Sequence, residues 1–461
     1  MKEDSHYFDN KTVLVFGFGS NGGGLGTVEF LLSTSVQQII VTDQRGLGEL
    51  TSTANKVPFD ERLVWRLGAH EEEDFKVADI VIKNPGIARD HPLLVIAEEH
   101  GAEVVMDSTL FMRLCRAPVL GVTGSKGKTT TASLLVHILA TAGYKVISAG
   151  ISQTGVLSEL LKVEEESVVV FELSSWRLSG LASVEKSPAV SVITNLYPDH
   201  LNYYGTMQEY AKDKKIITQF QTPEDTLIVP HDNQWTKYFV EESLAQVKEF
   251  GTTRKQHGWQ DERALYIRSA EGDEEILQKE NSFFVGDHIF ANFLAAALAA
   301  ESFGVEITYI REALQTFQGV PHRFQLVKDI DGVRYINDTA ATIPAATLSS
   351  VLSVAGPVVL LAGGSDKGLP LDDLVTAFKS IKFGVLFNGT GTEKLIPLLE
   401  ENSITHYQIA DSMEEALVVA QQHADSGDSI LLAPGAASFG MFKNEFDRGD
   451  QFIQAVEQMV Q

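Results

Sequence analysis

The stretch "GVTGSKGKTT", from Gly121 to Thr130, constrains the fold more than any other part of the sequence. It follows an apolar run and leads into "TASLLVHILATAG", which predicts a helix. A glycine-rich turn between a strand and a helix holds phosphates on backbone N–H groups and on the helix N-terminus. The residue six places before Lys128 is Val122, whereas the general P-loop pattern has glycine there. The stretch therefore predicts a phosphate-binding loop of an unusual type in an α/β fold.

Two residues of this loop carry the clearest chemistry. The ammonium group of Lys128 can neutralise β- and γ-phosphates, and the hydroxyl of Thr129 can ligate Mg²⁺. Lys126 either adds charge to the same site or is simply solvated. A purely structural glycine turn is the alternative, and the strand–turn–helix setting argues against it.

A second glycine-rich turn lies near the N-terminus, in "KTVLVFGFGSNGGGLGTVEFLL". Gly17, Gly19 and Gly22 give the pattern G-x-G-x-x-G between a predicted strand and a predicted helix. Asp43 ends the next predicted strand, at the distance expected for a nucleotide-binding βαβ unit. The pattern predicts a nucleotide site, and the alternative is a glycine-rich turn that binds nothing.

Composition narrows the class of protein. The 461 residues suit about three domains. The net charge of −25 repels nucleic acids and anionic membranes, so an anionic ligand would need local cations and helix N-termini. We expect a cytoplasmic protein, because "MKEDSHYFDNK" lacks an apolar signal core and no apolar run is long enough to cross a bilayer. The single cysteine, Cys115, excludes an internal disulfide and a cysteine-rich zinc site, and we expect it to be buried.

Strands and helices are predicted to alternate along the remaining chain. Predicted strands lie in "VVVFELSS", "AVSVITNLYPDH" and "DTLIVP", and a polar stretch that we expect to be irregular runs from Glu241 to Lys279. The alanine-rich helix "DHIFANFLAAALAAESFG" follows and ends at Gly304, which suits a helix C-cap. A third series of strands and helices begins near "GVPHRFQLV". Such apolar strands predict parallel sheets that are covered on both faces.

Two side chains follow predicted strands of the central segment. Glu172 ends "VVVFE", where a carboxylate is placed to ligate Mg²⁺, to cap a turn or to pair with a cation. His200 lies in "NLYPDHLNYYGTM", and a single histidine is more often packed or hydrogen-bonded than a ligand. Because ligands bind at the carboxyl edge of the sheet in α/β folds, their convergence there favours a functional site.

Several motifs stand in one characteristic order: "GVTGSKGKTT", "FELSSW", "NLYPDHLNYYGTMQEYAKDK", "VPHRFQLV", "NDTAAT" and "APGAASFGMFKNEFDRG". In this order they resemble the Mur ligases over essentially the whole chain, and most closely the members that add glutamate. The loop of that family reads T-G-x-x-G-K-[ST], which Thr123 to Thr129 satisfy. The missing early glycine is therefore a trait of the family.

The resemblance implies an α/β fold with three domains. The N-terminal domain, residues 1–116, would be Rossmann-like and would bind a UDP-sugar. The central domain, residues 117–319, would be a P-loop ATPase that binds ATP and Mg²⁺. The C-terminal domain, residues 320–461, would be Rossmann-like and would bind the incoming amino acid.

The resemblance also assigns residues to ATP. In the loop they would be Gly124, Ser125, Lys126, Gly127, Lys128, Thr129 and Thr130. Asn292 would approach the base or the phosphates, and Arg323 and Asp338 would reach ATP from the C-terminal domain as it closes. Taken alone, Arg323 fits a salt bridge and Asp338 fits a turn cap equally well. Lys128, Lys214 and His200 would be catalytic.

Magnesium would be held by Thr129, Glu172, His200 and Lys214, the last as a carbamate. Lys214 lies four residues after Tyr210, as the carbamylated lysine of the family does. Because Lys215 is adjacent, the residue that matches the carbamylated lysine could be either Lys214 or Lys215. A surface lysine is the alternative for "KDKK" when the resemblance is set aside.

The other two substrates would contact residues in the outer domains. The UDP-sugar residues would be Gly17, Gly19, Ser20, Asn21, Asp43, Arg45 and Gln153. The amino acid would contact Thr342, Ser438 and Lys443. An ordinary strand-to-helix turn is the alternative for the last two.

Four departures from the family pattern concern the predicted sites. Ile289 replaces an asparagine of "HNxxN", and "AGISQTG" around Gln153 replaces "GGNIG". Ala340 stands where "NDSKAT" has lysine, and Glu445 stands where an aromatic residue is common. The last two affect the amino-acid site, whose remaining polar groups would be Thr342, Ser438, Lys443 and Arg448.

The implied activity is ATP-dependent ligation of glutamate to UDP-N-acetylmuramoyl-L-alanine through an acyl phosphate, in peptidoglycan precursor synthesis. D-Glutamate is favoured, while L-glutamate and the alanine-, lysine- and folyl-glutamate-adding types stay open. Outside the family, the alternatives are a nicotinamide oxidoreductase, for which the sequence offers no evident hydride-transfer residues, and a catalytically silent nucleotide-binding regulator. We expect a monomer with small-molecule substrates and with no nucleic-acid or membrane partner.

Overall fold

The computed structural model describes residues 6–19, 22–151, 155–269 and 272–459. Three residues predicted to contact the sugar nucleotide, Ser20, Asn21 and Gln153, lie outside these ranges. The described residues form three sheets, which confirms the α/β class predicted from the sequence.

The first sheet is parallel throughout. Its strands are β1 (Thr12–Phe16), β2 (Gln38–Asp43), β3 (Leu63–Leu67), β4 (Ile80–Lys83) and β5 (Glu103–Val105). The helices of this segment are α1 (Gly23–Leu32), α2 (Leu47–Ala54), α3 (Glu72–Val77), α4 (Pro92–Glu99) and α5 (Asp107–Leu114). The strand order β3-β2-β1-β4-β5 places a switch point between β1 and β4, where open α/β sheets bind ligands.

The second sheet has the order β14-β13-β12-β11-β10-β9-β6-β8-β7. In chain order these strands are β6 (Val119–Thr123), β7 (Lys145–Ala149), β8 (Ser167–Glu172), β9 (Val190–Ile193), β10 (Thr226–Pro230), β11 (Gln246–Gly251), β12 (Gly258–Gln260), β13 (Ala264–Ser269) and β14 (Gly272–Gln278). The helices are α6 (Lys128–Thr141), α7 (Val156–Leu160), α8 (Ser175–Ser179), α9 (Leu201–Tyr204), α10 (Met207–Gln219), α11 (Thr236–Val240), α12 (Asp287–Ser302) and α13 (Ile307–Thr316). Neighbouring strands from β7 to β12 are parallel, so β6 lies between two parallel partners, β8 and β9.

The sequence predicted that the polar stretch from Glu241 to Lys279 is irregular, and this prediction is wrong. The strands β11 to β14 lie within the stretch. In β13, Ile267 is buried while its neighbour Arg268 is exposed. Tyr266 stacks on Trp259 of β12 with ring centroids 4.0 Å apart. The many charged residues of this stretch concealed strands that have one exposed face.

The third sheet has the order β15-β16-β20-β17-β18-β19. Its strands are β15 (Gln325–Ile330), β16 (Val333–Asn337), β17 (Val358–Gly363), β18 (Phe383–Phe387), β19 (Tyr407–Ala410) and β20 (Ser429–Leu432). The helices are α14 (Pro344–Leu352), α15 (Asp372–Lys379), α16 (Thr390–Glu401), α17 (Met413–His423) and α18 (Glu445–Gln458). Only the pair β15–β16 among these strands is antiparallel.

The chain divides into two compact units. The first comprises Met1–Asp261, Tyr266–Ile276 and Ala291–Ala313, and the second comprises Glu262–Leu265, Leu277–Phe290 and Leu314–Gln461. The first two sheets share one hydrophobic core, in which Phe111 of α5 packs edge-to-face on Phe171 of β8 at 5.0 Å. The predicted domain boundaries, after residues 116 and 319, stay predictions.

Two expectations from composition bear on the fold. Cys115 is buried, as predicted, and burial raises the pKa of its thiol, which suits a structural residue. None of the helices in the described ranges combines the length and apolar character needed to cross a membrane.

Candidate active site

The predicted phosphate loop forms a tight turn between β6 and α6. Gly124 has a φ of 149°, and Gly127, the N-cap residue of α6, has a φ of 82°. A Cβ atom on Gly124 would lie 1.9 Å from Thr194 Oγ1. A Cβ atom on Gly127 would lie 2.2 Å from Asn292 Oδ1. Both positions therefore require glycine, and Asn292 lies beside the loop.

The segment after β9 holds this loop in place. Thr194 Oγ1 and Asn195 Nδ2 both donate to the carbonyl of Lys126, at 2.6 and 2.9 Å. The Lys126 amide donates in return to Asn195 Oδ1 at 2.9 Å. The Ser125 amide donates to the Asn195 carbonyl at 3.0 Å. Sequence reasoning missed Thr194 and Asn195, although their position directly after a buried strand was an available signal.

Lys128 folds back over its own loop. Its Nζ donates to the carbonyls of Gly124 and Ser125, at 3.0 and 2.9 Å. Thr129 and Thr130 follow in the first turn of α6. A lysine charge held at the start of a helix is placed to neutralise an anion bound at that helix N-terminus.

Lys214 lies on α10 and reaches the same loop. Only 1% of the residue is exposed. Its Nζ donates to the carbonyl of Gly124 at 2.9 Å and to Thr123 Oγ1 at 3.4 Å. Burial is the main reason that the pKa of Lys214 lies well below its ordinary value, and the charge of Lys128 lowers this pKa further. Burial therefore favours the neutral form of this amine beside the loop.

Lys215, the alternative in the register, reaches a different part of the unit. Its Nζ donates to Glu242 Oε2 at 3.1 Å and lies 4.8 Å from the centre of the Tyr238 ring. The structure therefore brings Lys214, and not Lys215, to the loop.

Glu172 and His200 follow the two strands that flank β6. Glu172 ends β8 opposite Val122, and so lies at the sheet edge that carries the loop. His200 precedes α9 with a φ of 53°, and its ring centre lies 4.7 Å from that of Trp176. Its Nε2 lies 3.6 Å from Asp199 Oδ2. The sheet topology thus brings the two predicted residues to the same edge.

The predicted magnesium ligands differ in character. The carboxylate of Glu172 and the hydroxyl of Thr129 are oxygen donors of the kind that Mg²⁺ prefers, whereas the imidazole of His200 suits softer ions. Glu172 is close enough to Lys214 to act on its pKa. Among the residues that the structure describes, no three His, Cys, Asp or Glu side chains cluster as a metal site. The oxygen donors fit Mg²⁺, and another oxygen group at Lys214 would extend the set.

The glycine-rich turn of the first sheet is built around Asp43. Gly17, Gly19 and Gly22 have φ values of 85°, 73° and 81°. Asp43 Oδ2 accepts from the Gly19 amide at 2.9 Å, and Arg45 Nε donates to Asp43 Oδ1 at 3.1 Å. Burial alone would raise the pKa of Asp43, but the hydrogen bonds from Arg45 and Gly19 outweigh it and lower this pKa. Asp43 is thus an anion that fixes both the turn and Arg45.

Two residues predicted to reach ATP lie in the second unit. Asp338 follows β16 and is buried; Oδ1 accepts from the Phe324 amide at 3.1 Å, and Oδ2 accepts from Ser350 Oγ. Burial raises the pKa of Asp338. Arg323 is exposed. The carboxylate of Asp338 is therefore already engaged within its own unit.

The predicted amino-acid site contains a lysine that sequence reasoning missed. Lys367 Nζ donates to Thr342 Oγ1 at 2.9 Å. Ser438 is buried, whereas Lys443 is exposed. Lys367 lies in "GGSDKG", directly after the buried strand β17, and this position was the signal. Lys367 thus supplies a cation beside Thr342. The lysine that the family pattern has at position 340 is replaced here by Ala340.

Arg448, considered as a further ligand of the amino acid, is unsuited to that role. It is fully buried. Its guanidinium donates to Thr339 Oγ1 at 3.0 Å, to the Thr339 carbonyl at 3.1 Å and to the Ala436 carbonyl at 3.4 Å. Arg448 therefore ties the turn after β16 to the turn after β20.

The fold and these sites define a nucleotide-binding α/β protein with a phosphate-binding loop. A family model described as "Mur ligase middle domain" matches residues 122–300, and one described as "Mur ligase MurD-like, N-terminal domain" matches residues 11–106. A UDP-N-acetylmuramoylalanine–D-glutamate ligase of Roseiflexus is 39% identical, with 97% of this chain and 98% of that protein covered. Its counterpart in Borreliella afzelii is 34% identical, with 98% of each chain covered. The chain belongs to the Mur ligase family, and the resemblance seen in its motifs is confirmed.

Solved structures share the fold at low sequence identity. UDP-N-acetylmuramate–alanine ligase MurC from Thermotoga maritima matches with a TM-score of 0.59 and 18% identity, over 97% of this chain and 99% of that one. MurF ligase from Thermotoga maritima in complex with ADP matches with a TM-score of 0.53 and 17% identity, over 99% and 97%. The three-domain architecture implied by the motifs is that of these ligases.

Proposed function

We propose that the chain joins D-glutamate to UDP-N-acetylmuramoyl-L-alanine with conversion of ATP to ADP and phosphate. The observation that carries this proposal is the meeting of Lys128 and Lys214 at the Gly124 carbonyl. It occurs in a chain whose relatives above are D-glutamate ligases over nearly their whole length. The D-enantiomer is proposed for the same reason.

Joining a free carboxylate to an amine in water is uphill, so the carboxylate must first gain a leaving group. The alanyl carboxylate oxygen attacks the γ-phosphorus of ATP, an O–P bond forms, and ADP departs. The glutamate amine then attacks the acyl carbon, the C–O bond breaks, phosphate leaves, and the amine proton passes to solvent. Positioning and electrostatics dominate phosphoryl transfer, and Lys128 with the loop amides supplies both.

The oxygen atoms of Thr129 and Glu172, with the imidazole of His200, would hold Mg²⁺. When bound, the ion offsets negative charge on the phosphates. Asn292 lies beside Gly127 and would contact the nucleotide near the loop. Arg323 and Asp338 stay predicted ATP residues.

Lys214 would carry a carbamate. Its neutral amine adds to the carbon of CO₂, an N–C bond forms as one C–O π bond opens, and one proton leaves to solvent, so a neutral group becomes an anion. Burial favours the neutral amine that this step needs. The charge of Lys128 disfavours an ammonium at Lys214 and would favour a carbamate there. Lys215 differs, because its charge is paired with Glu242 near the surface.

The other substrates would bind at the outer sheets. The UDP-sugar would bind at the turn of Gly17, Gly19 and Gly22, with Arg45 near the diphosphate; Ser20, Asn21 and Gln153 stay predictions. Glutamate has two carboxylates, for which Lys367 and Lys443 would supply charge and Thr342 and Ser438 would supply hydroxyl groups. The expectation of a cytoplasmic monomer stays a prediction.

A radiolabelled ligation assay tests the activity. The purified chain receives ATP, Mg²⁺ and UDP-N-acetylmuramoyl-L-alanine with D-glutamate, L-glutamate, L-alanine or L-lysine. We expect product with D-glutamate, with one ADP and one phosphate formed for each amide bond. Product with a neutral amino acid instead would contradict the proposal, and Lys128→Ala should abolish turnover as the matched control.

A further inference from the structure

Lys83 is a buried cation that the reaction described above does not use. It ends β4 opposite Phe16, the last residue of β1, and so lies at the switch point of the first sheet. Only 7% of the residue is exposed. Its Nζ donates to the carbonyl of Ile87 at 2.9 Å, whereas an ammonium group has three hydrogens to donate. Lysine is among the residues least often buried without a reason.

An open cleft lies beside Lys83. Gly17 after β1, Gly24 in the first turn of α1 and Asn84 after β4 line it together with Lys83. A Cβ atom on Gly24 would lie 2.1 Å from the carbonyl oxygen of Phe18, so glycine is required there. Glycine backbone and a buried cation thus line the same cleft.

The N-terminus of α1 adds a second attraction for an anion. The N-cap residue is Gly22, which has no side chain to cap the helix, and the first turn has no acidic residue. The backbone N–H groups of a helix start carry partial positive charge. Lys83 lines the same cleft as Gly23 and Gly24 of this turn, so two independent features of positive sign border the same space.

One carboxylate, Asp107 at the start of α5, also lines the cleft. Its Oδ1 accepts from the Ser108 amide at 2.7 Å, and its Oδ2 lies 3.9 Å from a guanidinium nitrogen of Arg177. The charge of Asp107 is thus partly offset by groups other than Lys83. Burial, with a smaller contribution from Arg89, lowers the pKa of Lys83 to about 8 against the opposing effect of the Asp107 carboxylate, so its ammonium form still predominates at neutral pH.

We propose that Lys83 is a ligand of the diphosphate group of the sugar nucleotide and holds it against the N-terminus of α1. This inference rests on the proposed function, because it names a ligand residue for the UDP-linked substrate. A largely buried ammonium group can donate a charge-assisted hydrogen bond to a phosphate oxygen, and such bonds are stronger than neutral ones. Lys83 would then select for the diphosphate and not for the uracil.

Binding measurements by calorimetry test the proposal. The full chain is titrated with UDP and with uridine, as the wild type, Lys83→Met and Lys83→Arg. Because hydrogen bonds to charged groups contribute more than neutral ones, we expect Lys83→Met to weaken UDP binding by about tenfold or more. Uridine binding should stay within about twofold, and Lys83→Arg should recover most of the affinity for UDP, because arginine keeps the charge. Lys56→Met, at an exposed lysine of the same sheet region, is the matched control.

The outcomes separate this inference from the activity itself. Unchanged UDP affinity in Lys83→Met overturns the inference while leaving the activity in place. An equal loss of UDP and uridine binding in Lys83→Met, with no recovery in Lys83→Arg, means that Lys83 only fixes the turn through Ile87, and this also overturns it. If the wild type itself binds no UDP, the proposed function fails. ATP binding, measured in every variant, verifies that the chain is folded.

Discussion

Two lysines beside the central loop approach the same carbonyl group. Lys128 and Lys214 both donate to the carbonyl of Gly124, at 3.0 and 2.9 Å. Two ammonium groups in this position would repel each other, and burial makes the charge on Lys214 the more costly one. The arrangement is therefore most stable when Lys214 is neutral or has become an anion.

The first prediction concerns the identity of the carbamylated residue. Lys214→Ala should lower kcat by at least on the order of a hundredfold, because it removes electrostatic stabilisation at the transferring phosphoryl group. Acetate added to this variant should restore part of the rate, since a short carboxylate can occupy the vacated space. Lys215→Ala is the control and should keep most of the activity. Rescue of Lys215→Ala instead would place the carbamate on the other lysine.

The second prediction concerns the amino-acid site. Lys367→Met should raise KM for D-glutamate about tenfold or more and leave KM for ATP nearly unchanged, because it removes a charge that serves one substrate only. Lys367 and Lys443 are both exposed, and Lys443→Ala should raise the same KM less, because Lys367 Nζ is the one held at Thr342 Oγ1. Steady-state kinetics with each substrate varied in turn give both constants. Lys379→Met, an exposed lysine of α15, is the control; equal KM values for glutamate in all variants would place its carboxylates elsewhere.

At the scale of the element, the sequence predicted the turns and helix ends that glycine residues mark. The loop between β6 and α6 was predicted from its glycines, and α12 ends just before Gly304, whose φ of 98° suits the predicted C-cap. The strands β11 to β14 were not predicted, because charged residues cover their exposed faces. In a short strand with one exposed face, apolar and polar residues alternate. This alternation predicts a strand less clearly than a continuous run of valines does.

The candidate site was predictable to the same extent. Residues inside contiguous motifs, such as Lys128 and Lys214, were found in the sequence. The pairing of Lys367 with Thr342 was not, because the two are joined only by the packing of separate strands. Arg448 is the opposite case. Its place in a motif suggested a ligand residue, but it is buried and hydrogen-bonded to Thr339, so its role is structural. The sequence does not show which side chains from distant parts of the chain point toward each other.

The third prediction tests how the segment after β9 supports the loop. Asn195→Ala removes two side-chain hydrogen bonds to the backbone of Lys126. We expect KM for ATP to rise about tenfold, because the loop loses the contacts that hold its shape before phosphate binds. Asn402→Ala, an exposed residue at the C-cap of α16, is the control for loss of an amide side chain. An unchanged KM for ATP would mean that Thr194 and Gly124 alone fix the loop.

At the scale of the whole molecule, the positive charges that matter are concentrated at the carboxyl ends of strands. The chain has a net charge of −25, which repels ATP, a UDP-sugar and glutamate alike. Arg45 follows β2, Lys83 ends β4, and Lys367 follows β17. Each lies at the carboxyl end of a strand, the edge at which α/β sheets generally bind ligands. Local cations thus counteract a global field of the opposite sign.

The last prediction follows from the cost of burying one of these cations. The pKa of Lys214 in the folded chain lies well below the ordinary value of 10.5. Between these two values only the unfolded chain holds the proton, so the free energy of unfolding of the wild type should rise with pH, by at most about 1.4 kcal/mol per pH unit. Lys214→Met has no such titration. Its stability relative to the wild type should therefore be greatest at pH 7 and fall as the pH approaches 10.

Urea unfolding in CO₂-free buffer at pH 7, 8 and 9 measures this difference, because no carbamate forms there to mask it. Lys215→Met is the control, and its difference from the wild type should change much less over the same range, since Lys215 is paired near the surface with Glu242. If wild type and Lys214→Met instead show parallel stability curves, Lys214 is protonated in the folded chain throughout this range. The neutral amine that a carbamate requires would then be missing, and the assignment of Lys214 as the modified residue would be wrong.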